Sequence, residues 1–444
     1  MNTPIYDFVQ NYIGKNPVRA HMPGHKGYCP DNCGFSCAYA YDITEIAGAD
    51  ALFEADGIIA QSEANAAKLF GTAKTLYSAG GSTLCIQAML ALACKSGDTI
   101  VAVRNAHRAF INACVLLDLD VEWVYPVYEN GSVISGAVPP ESIERAVLSA
   151  GRPACVYITS PDYLGRTVDI KAISDICKKH SVPLIVDNAH GAHLAFLEEN
   201  IHPIALGADM CCDSAHKTLP VLTGGAYLHI GREKYSARAK DCMALFASTS
   251  PSYLILQSLD LCNAYLDRYF KQALADTARK INLLKEKLLD VYTICKSEPF
   301  KLTIYTLPNG LYGFELADIL RKNGIECEYA DNTHVVMMLS PFSTNHDFDR
   351  IYQALIGITA FKPAIPAPPA DFPIMKKAMS LRSAALAESE AVPIEKSIGR
   401  ICSKTATVCP PCIAAAVSGE IISPECINIF KRYSISIVNV VKCI

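Results

Sequence analysis

The chain has 444 residues, 51% of them hydrophobic and 19% charged, which is enough apolar material for a large core and excludes a disordered chain. Forty Lys and Arg stand against 44 Asp and Glu, a formal charge of −4, so no general electrostatic pull toward nucleic acid is expected. No apolar run reaches the roughly 18 residues of a membrane span, so no membrane partner is expected either.

In chain order, Met1–Gln10 carries Asp7 and lacks a basic start and an apolar stretch, so the expected location is cytoplasmic. The 19 cysteines are odd in number and scattered, which suits reduced thiols used as small hydrophobes. Apolar runs then alternate with helical patterns. Thr75–Ser78, Thr99–Arg104, Val121–Tyr125, Ala154–Thr159, Pro183–Asp187 and Asp209–Asp213 read as strands. Ser82–Lys95, His107–Leu117, Glu141–Ser149 and Ile170–His180 read as the helices between them. The strands are continuous apolar runs, the mark of a parallel sheet buried on both faces, so the expected class is α/β. Farther on, Tyr235–Phe270 and Gln272–Tyr292 read as long helices, Asp318–Asn323 as a short one. Phe300–Thr306, Leu311–Leu316 and His334–Leu339 read as strands of a small α+β domain. Lys362–Pro373 contains five prolines and reads as a stiff connector. The expected organisation is an arm over 1–50, a large α/β domain over 51–295, a small α+β domain over 296–361 and a proline-linked C-terminal domain over 362–444.

Four segments carry candidate chemistry. Ser214-Ala215-His216-Lys217 follows an apolar strand, and open α/β sheets bind ligands at such strand ends. Lysine is the side chain that condenses with carbonyl cofactors, although a lone Lys217 reads equally as a solvated surface residue. Asp187 ends another strand and suits the ring nitrogen of a pyridine cofactor; its plainer role is to cap a turn. Gly80-Gly81-Ser82-Thr83 opens a helix, where free N–H groups and the helix dipole hold phosphate, unless Ser82 is a simple cap. His107 follows the strand TIVAVR and suits stacking on a flat cofactor, or a structural role. In combination, a phosphate cradle, a stacking imidazole, an acidic strand end and a later lysine are far more specific than any one of them. No GxGxxG or GxxxxGK[ST] pattern occurs, which argues against dinucleotide and P-loop sites. Cys409-Pro410-Pro411-Cys412 offers too few ligands for a zinc site, and no metal is expected.

With these segments in place the chain resembles the Orn/Lys/Arg decarboxylase family, in a short form without an N-terminal wing domain. His21-Met22-Pro23-Gly24-His25-Lys26-Gly27, Asp42-Ile43-Thr44-Glu45-Ile46, the Ser214–Lys217 block and the tail segments Pro393–Ile401 and Pro410–Glu420 carry the resemblance. It implies fold type I, the aspartate-aminotransferase fold, with pyridoxal 5′-phosphate as cofactor. It further implies that Lys217 holds the cofactor aldehyde, that His216, Ser214, Ser82, Thr83 and Gly81 surround its phosphate, and that Asp187 pairs with its ring nitrogen. His107 would stack on the ring, His190 would lie beside it, and the arm around His25 would reach an active site at a homodimer interface. Asp162 and Glu420 are candidates for the basic end of a substrate, and Arg382 and Arg400 for its carboxylate. Asn188 stands where a Glu is common in the family, Asp162 where Thr or Asn is usual, and Arg108-Ala109 where Lys-Ser is usual. The implied reaction is decarboxylation of arginine, then lysine, then ornithine in order of preference. The rivals are another reaction on the same scaffold, such as transamination, or a non-catalytic relative.

Overall fold

The computed structural model describes residues 1–29, 34–129, 131–358, 363–369, 372–408 and 413–442. They cluster into two units, each made of two chain segments: Met1–Ala93 with Pro183–Gln272, and Cys94–Val182 with Ala273–Ile444.

In the first unit four strands lie side by side in the order Lys74–Ser78, Ala226–Ile230, Met210–Asp213, Leu184–Asp187. The last two run parallel, with Asp187 opposite Cys212. Ala226–Ile230 is antiparallel to both its neighbours, pairing Tyr227 with Tyr77 and with Asp213. Nearly every residue of these strands is buried, which is why they read as apolar runs without alternation. Helix Gly81–Ala93 buries Leu84, Cys85, Ile86, Ala88, Met89, Leu90 and Leu92, and a helix apolar on most sides belongs inside. Helix Pro4–Gly14 begins with a proline in its first turn, where the missing N–H costs nothing.

The second unit contains three parallel strands in the order Val156–Thr159, Thr99–Val103, Asp120–Val124. Helices Arg108–Leu117, Pro140–Ser149 and Ile170–Lys179 connect or follow them. Ile170–Lys179 shows how such a helix is specified: Ile170, Ile173, Ser174 and Cys177 share its buried face, and the Asp169 carboxylate caps it by accepting from Ala172 N at 2.9 Å. The same unit holds an antiparallel sheet of Thr293–Ile294, Lys301–Tyr305, His334–Met338 and Tyr329–Ala330. Its tail pairs Ser389–Pro393 with Ile437–Val441 and adds helix Pro424–Arg432. Ile394, Cys402, Ile422, Phe430, Val438 and Val440 of the tail share one apolar cluster with Leu164 and Val336.

Two expected elements differ. Leu311–Leu316 is not a strand: helix Gly313–Lys322 starts there, because the Glu315 carboxylate accepts from Tyr312 N at 2.8 Å and closes the first turn. Gly313 packs so tightly that an added Cβ would sit 2.3 Å from the His334 carbonyl oxygen. The single helix expected over Tyr235–Phe270 is broken. Ala239–Ala244 and Tyr253–Tyr265 are helical, and Pro251 between them cannot continue a helix. Among the described residues no helix is long and apolar enough to cross a membrane.

Candidate active site

Strand ends of the first unit gather the candidate cofactor residues other than His107. After Lys74–Ser78 the chain turns through Ala79 and Gly80, and the Ser78 hydroxyl holds the turn by accepting from Gly80 N at 3.1 Å and donating to the Gly81 carbonyl at 2.9 Å. Gly81 has φ 67°, a left-handed conformation natural to glycine, and opens helix Gly81–Ala93. The first-turn N–H groups and the positive end of the helix dipole therefore sit at the strand end. Gly80 and Thr83 border a cavity of about 400 Å³ that Ser248, Ser250 and Ser252 also line. Ser214 donates its hydroxyl to Ser82 Oγ at 2.8 Å, so two hydroxyls from segments 132 residues apart meet at this helix start.

Lys217 lies on the short helix Ala215–Thr218 that follows strand Met210–Asp213. Its Nζ is 3.0 Å from His190 Nε2. His216 Nδ1–H donates to the Gly225 carbonyl at 3.0 Å. Gly225 itself is tightly packed, and an added Cβ would come within 2.3 Å of the Val221 side chain. Asp187 ends strand Leu184–Asp187 and is buried; its Oδ1 accepts from Ala189 N at 3.2 Å and from the Cys212 thiol at 3.7 Å. Burial and the neighbouring Asp187 carboxylate push the Cys212 thiol well above its usual range, so it stays a donor.

Asp213, wholly buried at the end of the adjacent strand, was not singled out by sequence reasoning. Its carboxylate receives Asn188 Nδ2 at 2.6 Å and lies 3.1 Å from both His202 Nε2 and His229 Nε2. Burial alone would raise its pKa; the two imidazoles and their hydrogen bonds win and hold it well below the ordinary carboxylate range. His202, Cys211 and Asp213 also bring possible metal-ligand atoms within 4.8 Å of one another. Both imidazoles are engaged with Asp213, and burial keeps the Cys211 thiol protonated, so hydrogen bonding accounts for this cluster. Here His25 is also fully engaged: Nδ1 accepts from Gly27 N at 3.0 Å and Nε2 faces Asp42 Oδ2 at 3.1 Å.

His107, Asp162 and Glu420 belong to the second unit. His107 caps helix Arg108–Leu117 by accepting Ala109 N on Nδ1 at 3.0 Å, which leaves Nε2 as the protonated nitrogen of the neutral ring. Asp162 is buried, with its carboxyl raised by burial and partly restored by Ser135 and by Arg166 N at 2.9 Å. Lys301, itself buried, donates to the carbonyls of Asp162 and Tyr163 at 3.1 Å and pins that loop. Glu420 makes a bidentate pair with Arg104, both bonds 2.8 Å, and also accepts from Val417 N at 2.7 Å. Glu420 therefore already faces a guanidinium within this unit. Arg382 donates to the carbonyls of Val115 and Leu116, and Arg400 to Glu390 and the Val441 carbonyl. Cys409 and Cys412 lie outside the described residues.

The lysine, the buried carboxylate and the hydroxyl-lined helix start thus lie at strand ends of one unit. The model of the Orn/Lys/Arg decarboxylase major domain matches residues 3–301. The arginine decarboxylase of Bacillus subtilis (strain 168) is 30% identical over 97% of this chain and 93% of its own. That of Halalkalibacterium halodurans is 30% identical over 95% and 91%. The solved structure of the Escherichia coli constitutive lysine decarboxylase superposes with a TM-score of 0.82 over 99% of this chain and 82% of that one, at 17% identity, and establishes a shared fold. The chain belongs to the Orn/Lys/Arg decarboxylase family and is by that membership an amino acid decarboxylase.

Proposed function

We propose that this chain is a pyridoxal 5′-phosphate-dependent arginine decarboxylase, releasing CO2 and agmatine. The observation that carries the reading is the Lys217–His190 contact at 3.0 Å in the same unit as buried Asp187 and the Ser82–Ser214 hydroxyl pair. These residues fit the cofactor. A phosphate needs N–H and O–H donors, which the glycine-led helix start and the two serines offer; a pyridine nitrogen needs a desolvated carboxylate, which Asp187 offers. The bound cofactor supplies the carbonyl that captures the substrate amine and the electron sink for the pair left when CO2 departs.

The chain's own residues do the rest. Ser82, Ser214 and the first turn of Gly81–Ala93, with Thr83 and His216 nearby in sequence, anchor the phosphate. Asp187 keeps the ring nitrogen protonated. Lys217 would hold the cofactor's aldehyde and, beside His190 at 3.0 Å, would carry a proton for the substrate Cα. His107 takes the stacking role the family resemblance implies, and the arm around His25 completes the site in a homodimer. Asp162 and Glu420 remain the candidates for the guanidinium; each already has partners, Asp162 in Arg166 N and Ser135 and Glu420 in Arg104. Arginine leads because the relatives matched over nearly their whole length are arginine decarboxylases. Lysine is second and ornithine third.

The test is to supply the purified protein and pyridoxal phosphate with arginine, lysine and ornithine separately. The highest kcat/KM for arginine, with agmatine as product, is expected. Dominant cadaverine or putrescine would overturn the substrate, and keto acid without CO2 would overturn the reaction.

A further inference from the structure

The network around Asp213 joins the two strand ends that carry the proposed chemistry. Asp213 Oδ1 receives Asn188 Nδ2 at 2.6 Å, and Asn188 N also donates to the Cys212 carbonyl at 3.0 Å. Asn188 follows Asp187 directly; Asp213 directly precedes Ser214 and stands four residues before Lys217. Both residues are wholly buried. The proton inventory around Asp213 is closed. His202 Nδ1 accepts from Ile204 N at 3.4 Å, so Nε2 carries the proton that points at Asp213. His229 Nδ1 meets Thr75 Oγ1 at 2.8 Å, leaving its Nε2 to donate to the same oxygen. One oxygen therefore takes two imidazoles and the other takes the amide. Asn188 Oδ1 is buried with no hydrogen-bond partner among the described residues, so the Nδ2 bond to Asp213 is what orients the amide; Gly191 leaves the room beside it, since an added Cβ there would lie 2.1 Å from Oδ1.

We propose that Asn188 and Asp213 are a matched pair of positioning residues, an amide donor on one strand end and a carboxylate acceptor on the next, whose bond sets the spacing of Asp187 from Ser214 and Lys217. The inference rests on the cofactor reading above and deepens it. An amide at 188 supplies the donated proton without any titration, whereas a carboxylate there would face Asp213 at hydrogen-bonding distance and one of the two would have to take up a proton to keep the contact. The pair can also be exchanged. Asn at 213 can accept both imidazole protons on Oδ1 while its Nδ2 donates to an Asp at 188.

The test compares wild type, Asn188→Asp, Asp213→Asn and the double exchange, each as full-length protein at a temperature where circular dichroism shows it folded. Pyridoxal phosphate affinity is read by titrating the apoprotein, and kcat and KM for arginine are read separately. Asn188→Asp is expected to weaken cofactor affinity at least tenfold, and adding Asp213→Asn to recover most of that loss. A double exchange no better than Asn188→Asp would overturn the pairing, as would Asn188→Asp binding cofactor like wild type. If Asn188→Asp does not fold, Asn188→Ala replaces it, with a several-fold weaker cofactor affinity expected and an unchanged one overturning the proposal. Wild type that binds no cofactor would instead remove the reading on which the proposal rests.

Discussion

Arg104 and Glu420 show how a single buried pair can organise a protein. Arg104 is 1% exposed, its guanidinium lies against Trp123, Tyr125 and Phe372, and its two terminal nitrogens face the two oxygens of a residue 316 positions away. Removing one partner strands a charge in the interior. Glu420→Leu is expected to lower stability by about 3–5 kcal/mol, while Arg104→Met combined with Glu420→Leu costs less than Glu420→Leu alone. Urea unfolding of the variants checks this order, and an equal or larger loss in the double variant would refute it. Where the candidate residues stand along the chain was legible. Asp187 ends an apolar strand and Lys217 and Ser82 each follow one within four residues, and strand ends are where this architecture binds ligands. The Arg104–Glu420 and Asn188–Asp213 pairs were not legible. They are contacts between side chains far apart in the sequence, and periodicity carries no trace of which distant partner a buried polar group will find.

Helix ends are fixed by side chains, some of them far away in the sequence. Helix Pro4–Gly14 is held by Asp260, whose carboxylate accepts from Ile5 N at 2.9 Å and Tyr6 N at 3.0 Å and also from Ser62 Oγ. Burial raises this carboxyl from 3.8 to about 6, against the hydrogen bonds that lower it. Because the folded pKa is the higher one, the folded state keeps a proton that the unfolded state loses. The associated stability is fully present below pH 4 and fades as pH rises through 6. Relative to Asp260→Asn, the wild type should lose on the order of 3 kcal/mol between pH 4 and pH 7. Denaturation midpoints of both proteins across that range check the sign; parallel curves would refute it. Helix Asn345–Ile356 is closed by Thr344, which accepts Asp347 N while its own N–H donates to the Asp347 carboxylate at 2.7 Å. Thr344→Ala should cost about 1 kcal/mol in the same assay. The parallel strands and their helices were readable to within a few residues because length and apolar runs agree. Leu311–Leu316 misled because its apolar spacing fits a short strand, whereas the deciding contacts are a Glu315 cap and a glycine pressed against the next strand. The strand Ala226–Ile230 went unread: its His229 breaks the apolar run, and only Asp213 and Thr75 make a buried imidazole acceptable there.

Across the whole molecule, each unit draws on two stretches of chain, so its core is assembled from residues that composition along the sequence cannot group. The tail shares an apolar cluster with Leu164 and Val336 and is tied to the parallel strands by Lys377–Asp120 and Arg104–Glu420. Deleting the chain from Ser389 onward should therefore expose that cluster and yield insoluble protein; a soluble, cooperatively melting truncation would contradict this. Size-exclusion chromatography with light scattering should show a dimer or a multiple of one, and a monomer that retains full activity would remove the shared-site proposal for the His25 arm. The central claim concerns the bond that breaks. Arginine labelled in its carboxyl carbon, given to the protein with pyridoxal phosphate, should release the label as CO2 with one agmatine per CO2, and Lys217→Ala should release none. Label retained in a keto acid, or CO2 released undiminished by Lys217→Ala, would contradict the account.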